Sequence, residues 1–368
     1  MAGSIFGKHF TIQTFGESHG EGLGVVVDGV PAGLALCEED IQTFLDRRKP
    51  GSSRYATKRA EGDLVEIISG VFEGKTTGTP IAMLVRNTSQ RSGDYSEIAS
   101  YYRPGHADYT FDEKFGFRDY RGGGRSSGRE TIGRVAGGAI AIKILKELGI
   151  ELYAYTKSIG PISIQDDRFD KSLITITPTA MPDAKADAEA SAFLEQCMKE
   201  TDSAGGVIEC MIKNVPAGIG EPVFDKLDAR LGQAIMSIGA VKAFEIGDGF
   251  EVSQRKGSEN NDSFVLSDDE KKISKKTNHA GGILGGISDG DDIVLRAHFK
   301  PTPSIFKTQQ TVNKDLNEID INIKGRHDPI IVPRAVVVVE AMSALTILDL
   351  MMENMNSRMD HLKTIYKR

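Results

Sequence analysis

Cysteine is scarce in this chain. Its three residues, Cys37, Cys197 and Cys210, lie far apart with no CxxC pair, which argues against a disulfide framework and against a thiolate zinc site. They read as reduced, buried or half-buried thiols. Long apolar runs are missing as well. The longest, such as residues 336–339, are far too short to span a bilayer. The amino-terminal stretch lacks the charged and apolar regions of a signal peptide. The expectation is a cytoplasmic protein with no membrane partner. Only seven histidines occur, none at a metal-ligand spacing such as HExxH, so no metal is expected. Two nucleotide signatures also fail. Residues 69–76, SGVFEGKT, approach a P-loop, but Ser69 stands where the first glycine is required. No GxGxxG opens a helix after a strand, so a Rossmann dinucleotide site is unsupported.

The charge that is present is unevenly placed. The formal net charge is −7, which repels polyanions and speaks against a nucleic-acid partner. Yet residues 47–59 hold Arg47, Arg48, Lys49, Arg54, Lys58 and Arg59 with no acid among them. Residues 118–134 hold Arg118, Arg121, Arg125, Arg129 and Arg134 against Asp119 and Glu130. Basic clusters on an acidic protein suit a small anionic ligand, although solvated basic loops would look the same.

Short Val/Ile-rich strands alternate with helices. Strands are expected at 25–27, 65–68 and 81–86, and helices at 38–47, 131–148, 182–199 and 335–355. Gly149 is placed to end the second helix in a left-handed cap. The interior glycines of that helix, Gly133, Gly137 and Gly138, imply another backbone packed closely against it. Residues 258–269, rich in Ser, Asn and Asp, read as an exposed loop. An internal repeat is visible. Val30-Pro31-Ala32-Gly33 returns as Val215-Pro216-Ala217-Gly218, each before a helix, with Asp46-Arg47-Arg48 set against Asp228-Ala229-Arg230. Gly70, Gly74, Gly78 and Ile81 align without a gap with Gly282, Gly286, Gly290 and Ile293. A weaker match pairs residues 104–106 with 325–327. The expectation is a single domain over 1–368 containing a duplicated α/β unit, with halves of about 1–150 and 205–368 and a ligand site between them.

Five motifs could carry chemistry. In Phe15-Gly16-Glu17-Ser18-His19-Gly20 a histidine sits between glycines that let a ligand approach the backbone, and could give a proton to a leaving group. Tyr102-Arg103-Pro104-Gly105-His106-Ala107-Asp108 projects a second histidine from a Pro-Gly turn, with Arg103 and Asp108 able to bias its charge. Residues 121–131, RGGGRSSGRET, run into the long helix. Backbone N–H groups, Ser126, Ser127, Arg125 and Arg129 there suit a phosphate or carboxylate. Lys300-Pro301-Thr302-Pro303-Ser304, after the glycine-rich residues 279–286, could line a cofactor pocket. Lys324-Gly325-Arg326-His327-Asp328-Pro329 could set a base beside a cation. The residues alone leave two rivals: a phosphotransferase built on the glycine-rich loops, and a non-catalytic binder of phosphorylated ligands.

These motifs, in this order and over nearly the whole chain, resemble the chorismate synthases, in the monofunctional, bacterial form. The KPTPS segment is a variant of the family pattern that keeps the lysine and the small hydroxyl residues. The resemblance implies an α+β fold, an α/β sandwich with helices enclosed between β layers, assembled as a homotetramer. It implies 1,4-anti elimination of phosphate from 5-enolpyruvylshikimate 3-phosphate with reduced FMN. An external flavin reductase would supply that FMN, and NADPH would serve only indirectly. By resemblance, His19 would protonate the departing phosphate, His106 would tune or protonate the flavin, and Asp328 would help flavin N5 take the ring proton. Arg125, Ser126, Ser127, Gly239, Ala240, Gly285, Lys300, Pro301, Thr302, Pro303, Ser304 and Arg326 would contact FMN. Arg48, Arg54, Arg129 and Arg134 would bind substrate or NADP.

Overall fold

The computed structural model describes residues 3–49, 62–87, 97–267, 273–323 and 328–367. The first half supplies β1 (Ile5–Phe6), β2 (Thr11–Gly16), β3 (Gly22–Asp28), α1 (Glu38–Arg48), β4 (Val65–Ile67), the hairpin β5 (Val71–Phe72) and β6 (Lys75–Thr76), β7 (Ile81–Arg86), α2 (Asp108–Phe115) and α3 (Thr131–Glu147). The second supplies β8 (Glu151–Ile159), β9 (Ile162–Ser163), α4 (Ala184–Lys199), β10 (Gly206–Lys213), α5 (Leu227–Met236), β11 (Val241–Ile246), α6 (Gly257–Asn260) and β12 (Phe264–Leu266). It continues with β13 (Ile273–Lys275), the hairpin β14 (Ile283–Leu284) and β15 (Ile287–Ser288), β16 (Ile293–Phe299), β17 (Gln309–Val312), β18 (Glu318–Ile321), α7 (Val332–Asn354) and α8 (Met359–Tyr366).

Two five-stranded antiparallel sheets enclose α1, α3, α5 and α7. Their orders are β1-β2-β3-β7-β4 and β9-β8-β10-β16-β11. Each sheet turns one face to the helices and alternates along its strands, as in β16, where Ile293, Leu295, Ala297 and Phe299 are buried. Helix α3 lies on the first sheet and α7 on the second, and the two helices pack along each other. This enclosure leaves α3 without a polar face. Nearly every residue of α3 from Ile132 to Leu145 is buried, because the helix has a sheet on one side and α7 on the other. Its glycines make the approach possible. A Cβ on Gly137 would stand 2.7 Å from Ile12 Cγ2, and one on Gly138 would stand 2.3 Å from Ala341 Cβ.

Helix α7 corrects an expectation. At 23 residues it is long and apolar enough to cross a membrane by length and composition. Its most apolar window is 89% buried inside the protein, and its acids are internally paired. Glu340 takes both guanidinium arms of Arg47, at 2.7 and 2.8 Å. Asp349 accepts the backbone N–H groups of Lys8, His9 and Phe10 and a bond from Arg230. Residues 258–267 are not a plain loop either, since they contain part of α6 and all of β12.

The two VPAG segments have the same hydrogen bonds. Thr76 Oγ1 donates to the Pro31 carbonyl at 2.6 Å and accepts from Leu34 N at 3.0 Å. Ser288 Oγ donates to the Pro216 carbonyl at 2.6 Å and accepts from Ile219 N at 2.9 Å. The pairing of Asp46-Arg47-Arg48 with Asp228-Ala229-Arg230 does not survive: Arg48 ends α1, whereas Arg230 lies in the first turn of α5. The P-loop-like residues 69–76 are the β5–β6 hairpin region, and the second-half counterpart of that hairpin is β14–β15.

Candidate active site

Three groups of side chains gather where the motif loops meet. The first surrounds His19, which is buried, with Nδ1 3.1 Å from Ser18 Oγ. Asn87 ties down its loop by donating to the carbonyls of Glu17 and Gly20, at 3.0 and 2.8 Å. Gly122 lies against the imidazole so closely that a Cβ there would come within 2.5 Å of it. The motifs at 15–20 and 121–131 are therefore in contact. Hydrogen bonds from Arg121 hold the Asp119 carboxyl below its usual range, and the charge of His19 acts in the same direction.

The second group is an arginine cluster on one carboxylate. Asp63, completely buried, accepts from Arg48 Nη2 at 2.5 Å and from Arg129 Nη1 at 2.9 Å. Arg129 Nε also donates to Asn87 at 3.0 Å, which joins this cluster to the His19 loop. Arg48 donates to the Gly128 carbonyl, and Arg334 donates to the Arg48 carbonyl and to Asp328. Burial, the largest influence, and the nearby Arg334 charge pull the Arg48 guanidinium below its usual range, against the pull of Asp63. Two cations on one buried acid leave a net positive charge, which favours an anion nearby.

The third group joins motifs far apart in sequence. His106 Nε2 lies 2.9 Å from Ser304 Oγ, and Lys300 Nζ donates to the Gly105 carbonyl at 2.9 Å, across separations of 198 and 195 residues. Lys300 N bonds the Ala240 carbonyl, which brings Gly239 and Ala240 to the same place. Arg134 reaches toward it by donating to Ser237 Oγ at 2.6 Å. Burial first, then the charge of Arg103, push His106 down from 6.5 to about 4. Arg103 is itself clamped on Asp108 at 2.7 and 2.8 Å. The Lys300 ammonium is pulled below its usual range by burial and by Lys242. Among the described residues it has no carboxylate partner, and the buried Thr302 Oγ1 has no hydrogen-bond partner. A partly buried cation with no described acid beside it and an orphaned hydroxyl suit a polar, anionic ligand. The groups are linked: Asp328 is followed by Pro329, whose carbonyl accepts from Ala204 N, and Ser203 donates to the Thr302 carbonyl at 2.7 Å.

Some expected residues stand differently. Arg125 turns inward, donating to the carbonyls of Thr14 and Gly16 and to Thr14 Oγ1. Ser126 bonds the Gly123 carbonyl, and Ser127 caps the turn at Arg129 N. The start of α3 already holds an anion, the Glu130 carboxylate, bonded to Arg134 and Thr14. Gly285 lies in the β14–β15 turn, next to the Ile293 end of β16, while Lys300 follows its Phe299 end. Arg54 and Arg326 lie outside the described residues, as do residues 325–327 of the weaker repeat match. Of the cysteines, Cys197 and Cys210 are buried but Cys37 is exposed, and all three are free.

The sequence reading missed Asp63, Asn87 and Arg334. Arg334 had a signal: it is a cation in the first turn of a helix, where the dipole disfavours it, so a partner such as Asp328 was to be sought. Asp63 had none beyond the rule that a buried arginine needs an acid.

Comparison with known proteins is consistent throughout. The chorismate synthase family model matches residues 10–352. The chain is 67% identical to the chorismate synthase of Lachnoclostridium phytofermentans over 368 residues, the full length of both. It is 54% identical to that of Methanosarcina mazei, covering 96% of this chain and 97% of the other. A crystal structure of a chorismate synthase superposes with a TM-score of 0.77 at 32% identity, covering 98% of this chain and 97% of that one.

Proposed function

This chain belongs to the chorismate synthase family, and we propose how its residues divide the work of that family's reaction. The reaction is the loss of phosphate from 5-enolpyruvylshikimate 3-phosphate to give chorismate, a carbon–oxygen lyase step and the last of the shikimate pathway. One C–O and one C–H bond break, and a second ring double bond forms. The family uses reduced flavin. We assign the FMN site of this chain to Lys300, Thr302, Ser304, Gly239, Ala240 and His106. When bound, reduced FMN supplies electron density to the allylic system during the elimination and recovers it.

The observation that carries this assignment is the pairing of His106 with Ser304 and of Gly105 with Lys300. It joins polar groups from two distant motifs, and among the described residues Lys300 has no acid beside it. His19 gives a proton to the departing phosphate, from a loop held by Asn87 and Gly122. Asp328, held by Arg334, serves as the carboxylate on the side where the ring proton leaves. The net positive cluster of Arg48 and Arg129 on Asp63 attracts the substrate's phosphate and carboxylates, and Arg134, held by Glu130 and Ser237, adds a cation on the Ala240 side. The same reading gives a cytoplasmic homotetramer supplied by a separate flavin reductase. The exposure of Ile5 and Phe15 on the outer face of the first sheet supports subunit contact there.

The test is His19→Ala. It is expected to slow phosphate release by 100-fold or more, on the order of a lost general acid, with affinity for reduced FMN nearly unchanged. Loss of FMN binding, or normal phosphate release, would remove His19 from the proton-donor role.

A further inference from the structure

The chain of atoms from Pro104 through His106 to Ser304 has a fixed hydrogen-bond polarity. His106 Nδ1 lies 3.0 Å from the Pro104 carbonyl oxygen, and Nε2 lies 2.9 Å from Ser304 Oγ. A carbonyl oxygen only accepts, so Nδ1 carries the hydrogen. A neutral imidazole has one N–H, so Nε2 is a lone pair and the Ser304 hydroxyl must donate to it. We propose that Ser304 is a positioning residue that gives its one proton to the Nε2 lone pair of the Nδ1–H imidazole set by the Pro104 carbonyl, and so presents only lone pairs to a bound ligand. The proposal rests on the assignment of residues 102–108 and 300–304 to the cofactor site.

The surroundings act together. Arg103 and Lys300 oppose a second proton on the ring, Asp108 and the Pro104 carbonyl favour it, and burial outweighs both. Near neutral pH the ring therefore stays neutral and the polarity holds. Ligand atoms that meet Ser304 must then be N–H or O–H groups. A proton added at Nε2 would reverse Ser304: the hydroxyl would accept from the ring and turn its own hydrogen outward. In the resting site His106 is accordingly not a proton donor through Nε2, and becomes one only after it takes up a proton.

The test uses the full-length, ligand-free protein labelled with 15N-histidine, with His106 assigned by its loss in His106→Gln. A long-range 1H–15N spectrum of the parent protein should show a protonated Nδ1 and a pyridine-like Nε2 displaced by an accepted hydrogen bond. In Ser304→Ala the Nε2 signal should move to the position of an unbonded lone pair. The titration midpoint should rise by about one pH unit, because the neutral form loses its donor. Ser304→Thr should restore both. Turnover of Ser304→Ala should fall about tenfold at unchanged KM for 5-enolpyruvylshikimate 3-phosphate, with Ser304→Thr again near the parent. An Nε2–H tautomer in the parent, or a Ser304→Ala variant that titrates like it, overturns the proposal. If the parent protein makes no chorismate, the site assignment fails, but the ligand-free spectra still decide the claim about Ser304.

Discussion

His106 couples the site to stability. Its pKa falls from 6.5 to about 4 on folding because the ring is buried beside Arg103. Between those values the unfolded chain binds the proton and the folded one does not. Stability is therefore full above about pH 6.5 and drains away as pH falls toward 4, by roughly 3 kcal/mol in all. Urea midpoints across that range should drop for the parent protein and drop less for His106→Gln. Equal slopes would contradict the buried neutral ring. Asp63 makes the converse case. Asp63→Asn leaves Arg48 and Arg129 buried beside each other without their shared counter-charge. It should lose about 3–5 kcal/mol, part of which inorganic phosphate restores. A variant as stable as the parent, or one indifferent to phosphate, would show that the cluster is no anion site. At this scale the sequence was half legible. His19, His106, Arg48 and Arg129 stood out by their neighbours. Asp63 did not, because it lies 66 residues from Arg129 and no local pattern ties the two.

Helix α3 shows what the sequence could say about an element. Its glycines cost helix propensity, and close packing was the physical reason to expect. Gly138→Ala adds a Cβ 2.3 Å from Ala341 Cβ and 2.6 Å from Ala341 Cα. Backbone cannot yield as a flexible side chain does, so the clash outweighs the propensity gain and should cost about 1–3 kcal/mol. Gly232→Ala, in α5, meets only the Phe244 ring at 3.4 Å, and should be neutral or gain up to about 1 kcal/mol. Thermal unfolding of the two variants checks the contrast, and equal effects would contradict the packing account. The ends of the elements were legible too: Gly149 has the positive φ of a left-handed residue just past α3. Burial on all sides was less legible. A helix between a sheet and another helix loses its polar face, so periodicity no longer marks the side that packs.

Across the whole molecule the matching sheet orders and the paired Thr76 and Ser288 bonds support a duplicated unit, and we propose its boundary at about residue 150. Strand β8 belongs to the second sheet, and the stretch from β9 to β10, including α4, is then an insertion rather than a junction. Duplication places α3 and α7 back to back, each under its own sheet, and the motif loops of the first half meet residues 300–304 and 328 of the second beside them. The shared VPAG made this visible in sequence. The arginine match did not hold, because short charged triplets recur on unrelated helix turns. We propose that this arrangement eliminates phosphate with a reduced flavin as a catalyst and not as a reagent. The direct measurement is an anaerobic assay with 5-enolpyruvylshikimate 3-phosphate and chemically reduced FMN, following chorismate absorbance and free phosphate together. The account predicts equal release of both, over many turnovers per flavin, and none with oxidised FMN. Tight FMN binding without chorismate, or product formed equally well with oxidised FMN, would contradict it.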